Sequence, residues 1–440
     1  MVTHWDDGRR HVRLLRVADG DDGEVSIEAD VLDLFAGSTR PCTKRPVAFQ
    51  SCMPKRGKTR MVRTIAKRPA AKHKTPYVPY VRHGQKTITS RPERIAIQCS
   101  LKTVYTASAM GLAKKLTASG HLRDWSGEIC PWCGEGKLGP LKNFPGRSAS
   151  YRCRSKRCRK FVLPHHNHPV FSTGWGNSSA PFADKVAVCM CATWDVAQSK
   201  CHQITGNSHK LIENVYTRLD SARMKYVKKK EKSIKFGAID KWPDVEADEV
   251  DLGKMDDAEK DDQDKPVQWE QWGGLVERGR PNTLVLTRLD PCRTKRRAPG
   301  PGPIRKRDWK PIAKRHLENR EVILHTDGAK AYKLKIPKVL HDNVVHMKKK
   351  VTLRGVTHWI KPKYSEVVTH RLPTGEQMYT KSGTQIIDRF WSHLRKHLQS
   401  RKRRVGTLAA TRRIRSAQWT YWNKGADLWA CTGEMLKELY

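Results

Sequence analysis

Apolar and polar positions along the chain change period several times, and each change marks a different kind of element. Between residues 95 and 119, Leu101, Val104, Tyr105, Ala109, Leu112 and Leu116 recur mostly three or four apart, the repeat of one helix face, and Gly120 offers a stop. Residues 181–232 again read as helical. Phe182–Thr193 is largely apolar, and 195–203, the Gly-containing turn 205–208 and 210–230 read as helix, turn and helix, with Ser208 suited to the N-cap. Such a segment suits a helix-turn-helix with its last helix in a DNA groove, or a plain helical connection. From Ile234 the pattern turns to strands. Residues 245–250 form a short buried strand, and 267–276 and 282–289 follow as antiparallel strands around the turn 277–281. The Pro-, Gly- and Arg-rich stretch 291–307 reads as a loop. A helix over 309–319, a strand over 321–324, a short helix over 329–334, a strand over 339–346 and a helix over 384–397 complete the pattern.

The order β-β-β-α-β-α-β-α is that of an RNase H-like α/β fold, a mixed sheet flanked by helices, here spanning residues 234–430. Residues 1–94 break the patterning. The stretch 25–35 has the apolar content of a short helix, whereas 40–94 is rich in Lys, Arg, Pro, Ser and Thr, the composition of a disordered basic arm. Within it, 67–74 resembles a nuclear import signal and equally suits a solvated tail.

Charge sharpens the picture. The 440 residues carry 86 Lys+Arg against 44 Asp+Glu, a formal net charge of +42. That excess favours a polyanionic partner, nucleic acid before a membrane surface. No apolar run approaches the roughly 18–20 residues of a membrane span, and the N-terminus lacks a signal-peptide apolar region. An intracellular location follows as the expectation, nuclear in a eukaryote and otherwise cytoplasm or nucleoid. The 12 cysteines then read as thiols or metal ligands rather than disulfides.

Two kinds of candidate site stand out. Cys130-Pro-Trp-Cys133-Gly is followed, after nineteen intervening residues, by Cys153-Arg-Ser-Lys-Arg-Cys158. Two short knuckles at that separation can converge on one tetrahedral Zn²⁺, so residues 95–163 read as a helix plus a structural zinc ribbon. Gly134 suits the tight turn, and Arg154, Lys156 and Arg157 around the second knuckle suit DNA phosphate. His165, His166 and His168 are expected at the surface, and Cys189, Cys191 and Cys201 as buried thiols. The second candidate is a carboxylate set. On the strand 245–250, Glu246 and Asp248 share one face while Glu249 points the other way. Asp327 ends the strand 321–324, and Asp388 lies on the last helix beside Phe390 and Trp391. Three such carboxylates suit Mg²⁺ or Mn²⁺ and phosphodiester chemistry. The acidic stretch 251–265 lacks the spacing of a calcium loop and reads as a solvated insertion. Trp419, Tyr421, Trp422 and Trp429 suit helix packing, with base stacking as the alternative.

Taken in order over residues 95–430, these features resemble the DDE transposases of bacterial insertion sequences that carry an N-terminal zinc ribbon, the ISXO-like group. The matching elements are the Cys-Pro-Trp-Cys-Gly knuckle, Val-Glu-Ala-Asp-Glu at 245–249, Thr-Asp-Gly-Ala-Lys-Ala-Tyr at 326–332 and Phe-Trp-Ser-His-Leu-Arg at 390–395. The resemblance implies a DNA-cutting and DNA-joining enzyme with Asp248, Asp327 and Asp388 as catalytic metal ligands. It further implies Arg395 or Lys396 as a basic residue working with the site, DNA ends and target DNA as partners, and a homo-oligomer during synapsis. Asp388 stands where the family commonly has Glu, and the acidic insertion separates the first motif from Trp272-Gly273-Gly274. A captured or decayed transposase that only binds DNA, and a zinc-ribbon nucleic-acid adaptor, are the alternatives.

Overall fold

A computed structural model describes residues 2–6, 9–18, 26–31, 76–80, 99–172, 180–237, 242–255, 266–345, 349–353, 355–401 and 404–440. The chain divides into two units, residues 1–72 and 73–440. In the first, β1 (Val2–Asp6), β2 (Arg9–Ala18) and β3 (Ser26–Val31) form an antiparallel sheet with β2 in the middle. This corrects the helix expected over 25–35. Ile27, Ala29 and Val31 alternate with polar residues, the period of a strand. The import-signal-like run 67–74 and residues 256–265 of the acidic insertion lie outside the described residues.

The second unit opens with α1 (Leu101–Thr106) and α2 (Ala109–Ala118), two helices where the apolar period suggested one. Ser108 is the reason. It adopts an extended conformation and caps α2 by accepting a hydrogen bond from the Gly111 amide at 3.1 Å. Strands β4 (Lys142–Phe144), β5 (Arg147–Arg152) and β6 (Phe161–Val162) form a small antiparallel sheet. Next come α3 (Phe182–Thr193), α4 (Gln198–Thr205) and α5 (His209–Glu231). Gly206, at φ +66°, ends α4, and Ser208 caps α5 as the sequence suggested. Both flanking helices serve the core. α3 is buried from Lys185 to Thr193, and α5 buries Ile212, Val215, Tyr216, Leu219 and Val227.

The central sheet has six strands: β7 (Asp244–Lys254), β8 (Val267–Glu277), β9 (Val285–Arg288), β10 (Cys292–Thr294), β11 (Val322–Thr326) and β12 (Val339–Asn343). The order is β10-β8-β7-β11-β12, with β9 also on β8. β8 runs antiparallel to β7, and β9 and β10 antiparallel to β8. β11 is parallel to both β7 and β12. β10 lies inside the stretch expected to be a plain loop.

Helix α6 (Lys306–His316) covers one face through Trp309 and Ile312, against Val245, Ala247, Leu275, Val322 and Leu324. Two hairpins, β13 (Lys349–Leu353) with β14 (Val356–Ile360) and β15 (Glu366–Arg371) with β16 (Gln377–Ser382), were not read from the sequence. After them, α7 (Gln385–Ser400) covers the other face of the sheet with Ile387, Phe390, Trp391 and Leu394. α8 (Leu408–Trp422) and α9 (Leu428–Lys437) close the chain. The result is an α/β architecture with helices on both faces of a mixed sheet.

Packing settles the C-terminal aromatics. Trp419, Tyr421, Trp422 and Trp429 are all buried in the core shared with α5 and α7. Several C-terminal cations are buried too. Arg401 pairs with Asp220 at 2.8 Å, Arg413 with Asp195 at 2.9 Å and Arg415 with Glu231 at 2.8 Å. A buried cation needs a partner carboxylate, so these arginines tie α5, α7 and α8 together. His168 is likewise no surface residue. It is buried, with Nδ1 accepting from the Val170 and Phe171 amides at 3.0 and 2.8 Å and Nε2 donating to the His121 carbonyl at 2.8 Å.

Candidate carboxylate and cysteine sites

Strand alternation places Glu246 and Asp248 toward α7 and Glu249 toward the opposite layer. There Glu249 accepts from the Tyr332 hydroxyl at 2.5 Å and the Ile304 amide at 2.9 Å. The parallel register pairs His325 with Glu246. Two residues further on, Asp327 comes level with Asp248 on the same face, just past the end of β11. Asp327 accepts from the Ala329 amide at 2.9 Å. Asp388 occupies the exposed first turn of α7 and accepts from the Thr384 hydroxyl at 3.3 Å. Three residues later on the same helix, the Trp391 indole donates to Asp248 Oδ2 at 2.9 Å.

The three carboxylates predicted from sequence therefore share one face of the sheet, but their oxygens do not all lie within 4.8 Å of one another. Burial, then the charges of Glu249, Asp388 and Asp327, raise the Asp248 carboxyl well above the usual carboxylate range. Like charges around a buried carboxylate disfavour its ionised form until a cation neutralises them. An all-oxygen donor set suits a hard divalent ion such as Mg²⁺ or Mn²⁺.

A glycine lets α7 come this close. Asp248 pairs across the ladder with Gly274. A Cβ at Gly274 would lie 2.9 Å from Trp391 Cη2 and 3.0 Å from Ile387 Cδ1. The helix thus lies directly on β8 beside the carboxylate it supports. The sequence showed the Trp-Gly-Gly triplet but not what the second glycine meets.

The contacts of two polar groups around the site escaped sequence reading. Glu246 is fully buried and faces the start of α7. Beside it, His325 lies between Asp342 and Asp244, with Nδ1 2.8 Å from Asp342 Oδ1 and Nε2 2.9 Å from Asp244 Oδ1. From the second hairpin, His370 Nε2 lies 2.8 Å from Asp342 Oδ2 and the Ser382 hydroxyl donates to Oδ1 at 2.5 Å. This network docks β15 and β16 against β12. Its members lie on five separate strands, so no local spacing announces it.

The cysteines converge as their spacing predicted. Cys130, Cys133, Cys153 and Cys158 bring their sulfurs within 4.8 Å of one another, the one such metal-ligating group among the described residues. Cys130–Cys158 and Cys133–Cys153 are each 3.8 Å apart. A tetrahedron with metal–sulfur bonds of about 2.3 Å has edges of about 3.8 Å, so the cluster fits Zn²⁺. Backbone amides of Glu135 and Gly136 pull the Cys133 thiol down to about 7, favouring the thiolate a metal needs. Gly134 sits at φ +70°, as the tight turn requires. Gly136, which the sequence reading passed over, is needed for space: a Cβ there would lie 2.6 Å from Cys153 Sγ. Trp125, Leu138, Tyr151 and Val162 pack around the cluster. Cys189, Cys191 and Cys201 are buried, as expected of thiols without a ligand role.

Arg154, Lys156 and Arg157 are exposed beside the cluster, as are Arg395 and Lys396 on α7. Trp132 is half exposed, with the Lys160 ammonium 5.9 Å from its ring centre. Among the described residues no helix is long and apolar enough to cross a membrane. No family model matches the chain, and neither a curated protein nor a solved structure matches it.

Proposed function

We propose that the chain is a DNA transposase of the DDE type, cutting and joining DNA strands at a divalent-metal site held by Asp248, Asp327 and Asp388. The observation that carries this reading is the placement of the three carboxylates: Asp248 on β7, Asp327 just past the neighbouring parallel strand, and Asp388 in the first turn of the helix whose Trp391 bonds Asp248. Strand order adds support. Taking β9 and β10 together as the third strand, the sheet reads 3-2-1-4-5, with the second strand antiparallel to the first and the fourth and fifth parallel to it. An RNase H-like fold would have that order, which supports the reading.

Divalent cations, when bound, would neutralise charge on the attacking and leaving oxygens of a phosphodiester. The chain's own residues prepare for that. Asp248 sits in the sheet with one oxygen engaged by Trp391, so its orientation is set before a ligand arrives. The Ala329 amide orients Asp327 in the same way. Exposed Arg395 and Lys396 follow Asp388 on the same helix and can meet the DNA backbone, as can Arg154, Lys156 and Arg157 of a zinc ribbon.

A captured or decayed transposase that binds DNA without cutting is the second reading. Asp388 favours it: its side chain is one methylene shorter than Glu, and the carboxylate oxygens are not drawn within 4.8 Å of one another as the cysteine sulfurs are. The adaptor reading leaves the carboxylate face without a role.

The test is Mn²⁺- or Mg²⁺-dependent cleavage and joining of DNA carrying the flanks of the gene's own locus. Asp248→Ala, Asp327→Ala and Asp388→Ala should each lose activity while DNA retention persists. Survival of Asp388→Ala alone would move the third ligand elsewhere. An inactive wild type that still binds DNA would favour the captured reading.

A further inference from the structure

We propose that Glu246, Arg278 and Tyr80 form a clasp that sets the entry of α7, and so holds Asp388 and Trp391 in place against Asp248. The three are positioning residues, and the inference rests on the metal-site reading above. Every helix begins with amides that have no partner within it. At α7 the N-cap residue Thr384 supplies no side-chain acceptor. Glu246 supplies it from the sheet, its Oε2 accepting from the Ile386 and Ile387 amides at 2.8 and 3.1 Å. The next residue on the helix is Asp388. Glu246 also precedes Asp248 by two positions on the same strand face. One carboxylate thus ties the helix ligand and the strand ligand to a common point.

A buried Glu needs a cation. Arg278, at the end of β8, donates Nε to Glu246 Oε1 at 2.6 Å, and both side chains are essentially inaccessible. Its other nitrogens do a second job. Nη1 donates to the Lys381 carbonyl at 2.5 Å and Nη2 to the Gly383 carbonyl at 2.7 Å, the two groups that lead the chain into α7. Gly383 itself adopts φ +136°, where a Cβ would lie 2.6 Å from the Tyr364 carbonyl oxygen. The approach to the helix is therefore held to one path.

Tyr80 closes the clasp from a segment that precedes the cysteine cluster. Its hydroxyl hydrogen-bonds Glu246 and accepts from the Gln385 amide at 3.0 Å and from Arg278 Nη2 at 3.1 Å. Its ring lies 4.2 Å from the guanidinium carbon. Backbone groups of Lys381, Gly383, Gln385, Ile386 and Ile387 are thereby bound by three side chains distant in sequence. Residues outside a metal's ligand shell that orient its ligands typically change metal affinity roughly 10–100-fold when altered.

The experiment uses the full chain and Tb³⁺, whose luminescence is sensitised by nearby tryptophan. The signal from this site is the part lost in Asp248→Asn. Tyr80→Phe keeps the ring over Arg278 and removes only the hydroxyl. It should weaken Asp248-dependent Tb³⁺ binding by roughly tenfold while melting within about 2 °C of wild type, a split that a merely structural role would not produce. Glu246→Gln, which keeps an acceptor for the helix amides but loses the ion pair, should weaken binding further where it folds. Unchanged Tb³⁺ affinity in a folded Tyr80→Phe protein would overturn the clasp. Wild type with no Asp248-dependent Tb³⁺ signal would instead overturn the metal-site reading. Amide exchange at 385–388 then decides the clasp on its own: faster exchange in Tyr80→Phe upholds it, and unchanged exchange sinks it.

Discussion

Gly274 shows how much a single missing side chain decides. It pairs with Asp248 and lies under Trp391, and any Cβ would press on the indole and on Ile387 at about the closest approach atoms tolerate. Gly274→Ala should therefore push α7 off the sheet, at a cost of about 1–3 kcal/mol, measurable by urea unfolding. Because the Trp391 hydrogen bond to Asp248 would lengthen with the shift, the same variant should lose metal-dependent cleavage out of proportion to its stability. An Ala variant as stable as wild type would show that the helix is not packed this tightly. At this scale sequence reading does well for residues whose chemistry is local. The convergence of the four cysteines was legible from knuckle spacing, and so were the positions of Asp248 on a strand, Asp327 past a strand end and Asp388 on a helix. It does poorly where a residue matters through what faces it. Gly136 and Gly274 looked like ordinary loop and strand glycines, since nothing adjacent in sequence shows the sulfur or the indole they make room for.

Among the elements, the two hairpins between β12 and α7 were missed, and the reason is physical. Their strands carry Lys, Thr, His and Arg on exposed faces, so little apolar alternation marks them. The second hairpin is held by polar contacts instead. Burial works against a charged His325, but its hydrogen bonds to Asp244 and Asp342 outweigh it and raise the imidazole above its ordinary range. Burial likewise works against a charged Asp342, and His325 and His370 overcome it, holding that carboxyl well below its ordinary range. The signs then set a window. The Asp342 contribution is present above about pH 4 and is lost as pH falls through its depressed value. The His325 contribution is complete below about pH 6.5 and is lost as pH rises through its raised value. Thermal melts across pH should show stability greatest between these limits and declining above pH 6.5. His325→Gln should flatten the decline on the alkaline side. An unaltered profile in that variant would place the titration elsewhere.

For the whole molecule, net charge favours a polyanionic partner but does not say which cations are free to meet one. Arg154, Lys156 and Arg157 are exposed, whereas Arg401, Arg413 and Arg415 are consumed by buried ion pairs. Each phosphate contact adds roughly 0.9 to the slope of log affinity against log salt. Replacing Arg154, Lys156 and Arg157 together by Ala should lower the DNA-binding slope by up to about 3 with little change in stability. Arg413→Ala should leave the slope alone and cost about 1–3 kcal/mol of stability, because it removes one of the two arginines that hold Asp195 and Asp220 and leaves Arg401 alone beside them. A salt slope that falls equally in both variants would show that the division between surface and core cations is wrong.

What the amino-acid sequence determined by itself is whatever depends on near neighbours. Periods of two and of three to four marked most helices of residues 99–440 and five strands of the central sheet, serines and glycines marked several of their ends, and the Cys spacing marked the cysteine cluster. These features are short-range because backbone geometry and ligand reach are short-range. Tertiary structure alone decided which face of β7 meets which helix, that Arg278 just past β8 and Tyr80 bind the entry of α7, and that Arg401, Arg413 and Arg415 point inward. Those outcomes depend on burial, where a charge must find its partner from any part of the chain, and no local pattern encodes that choice.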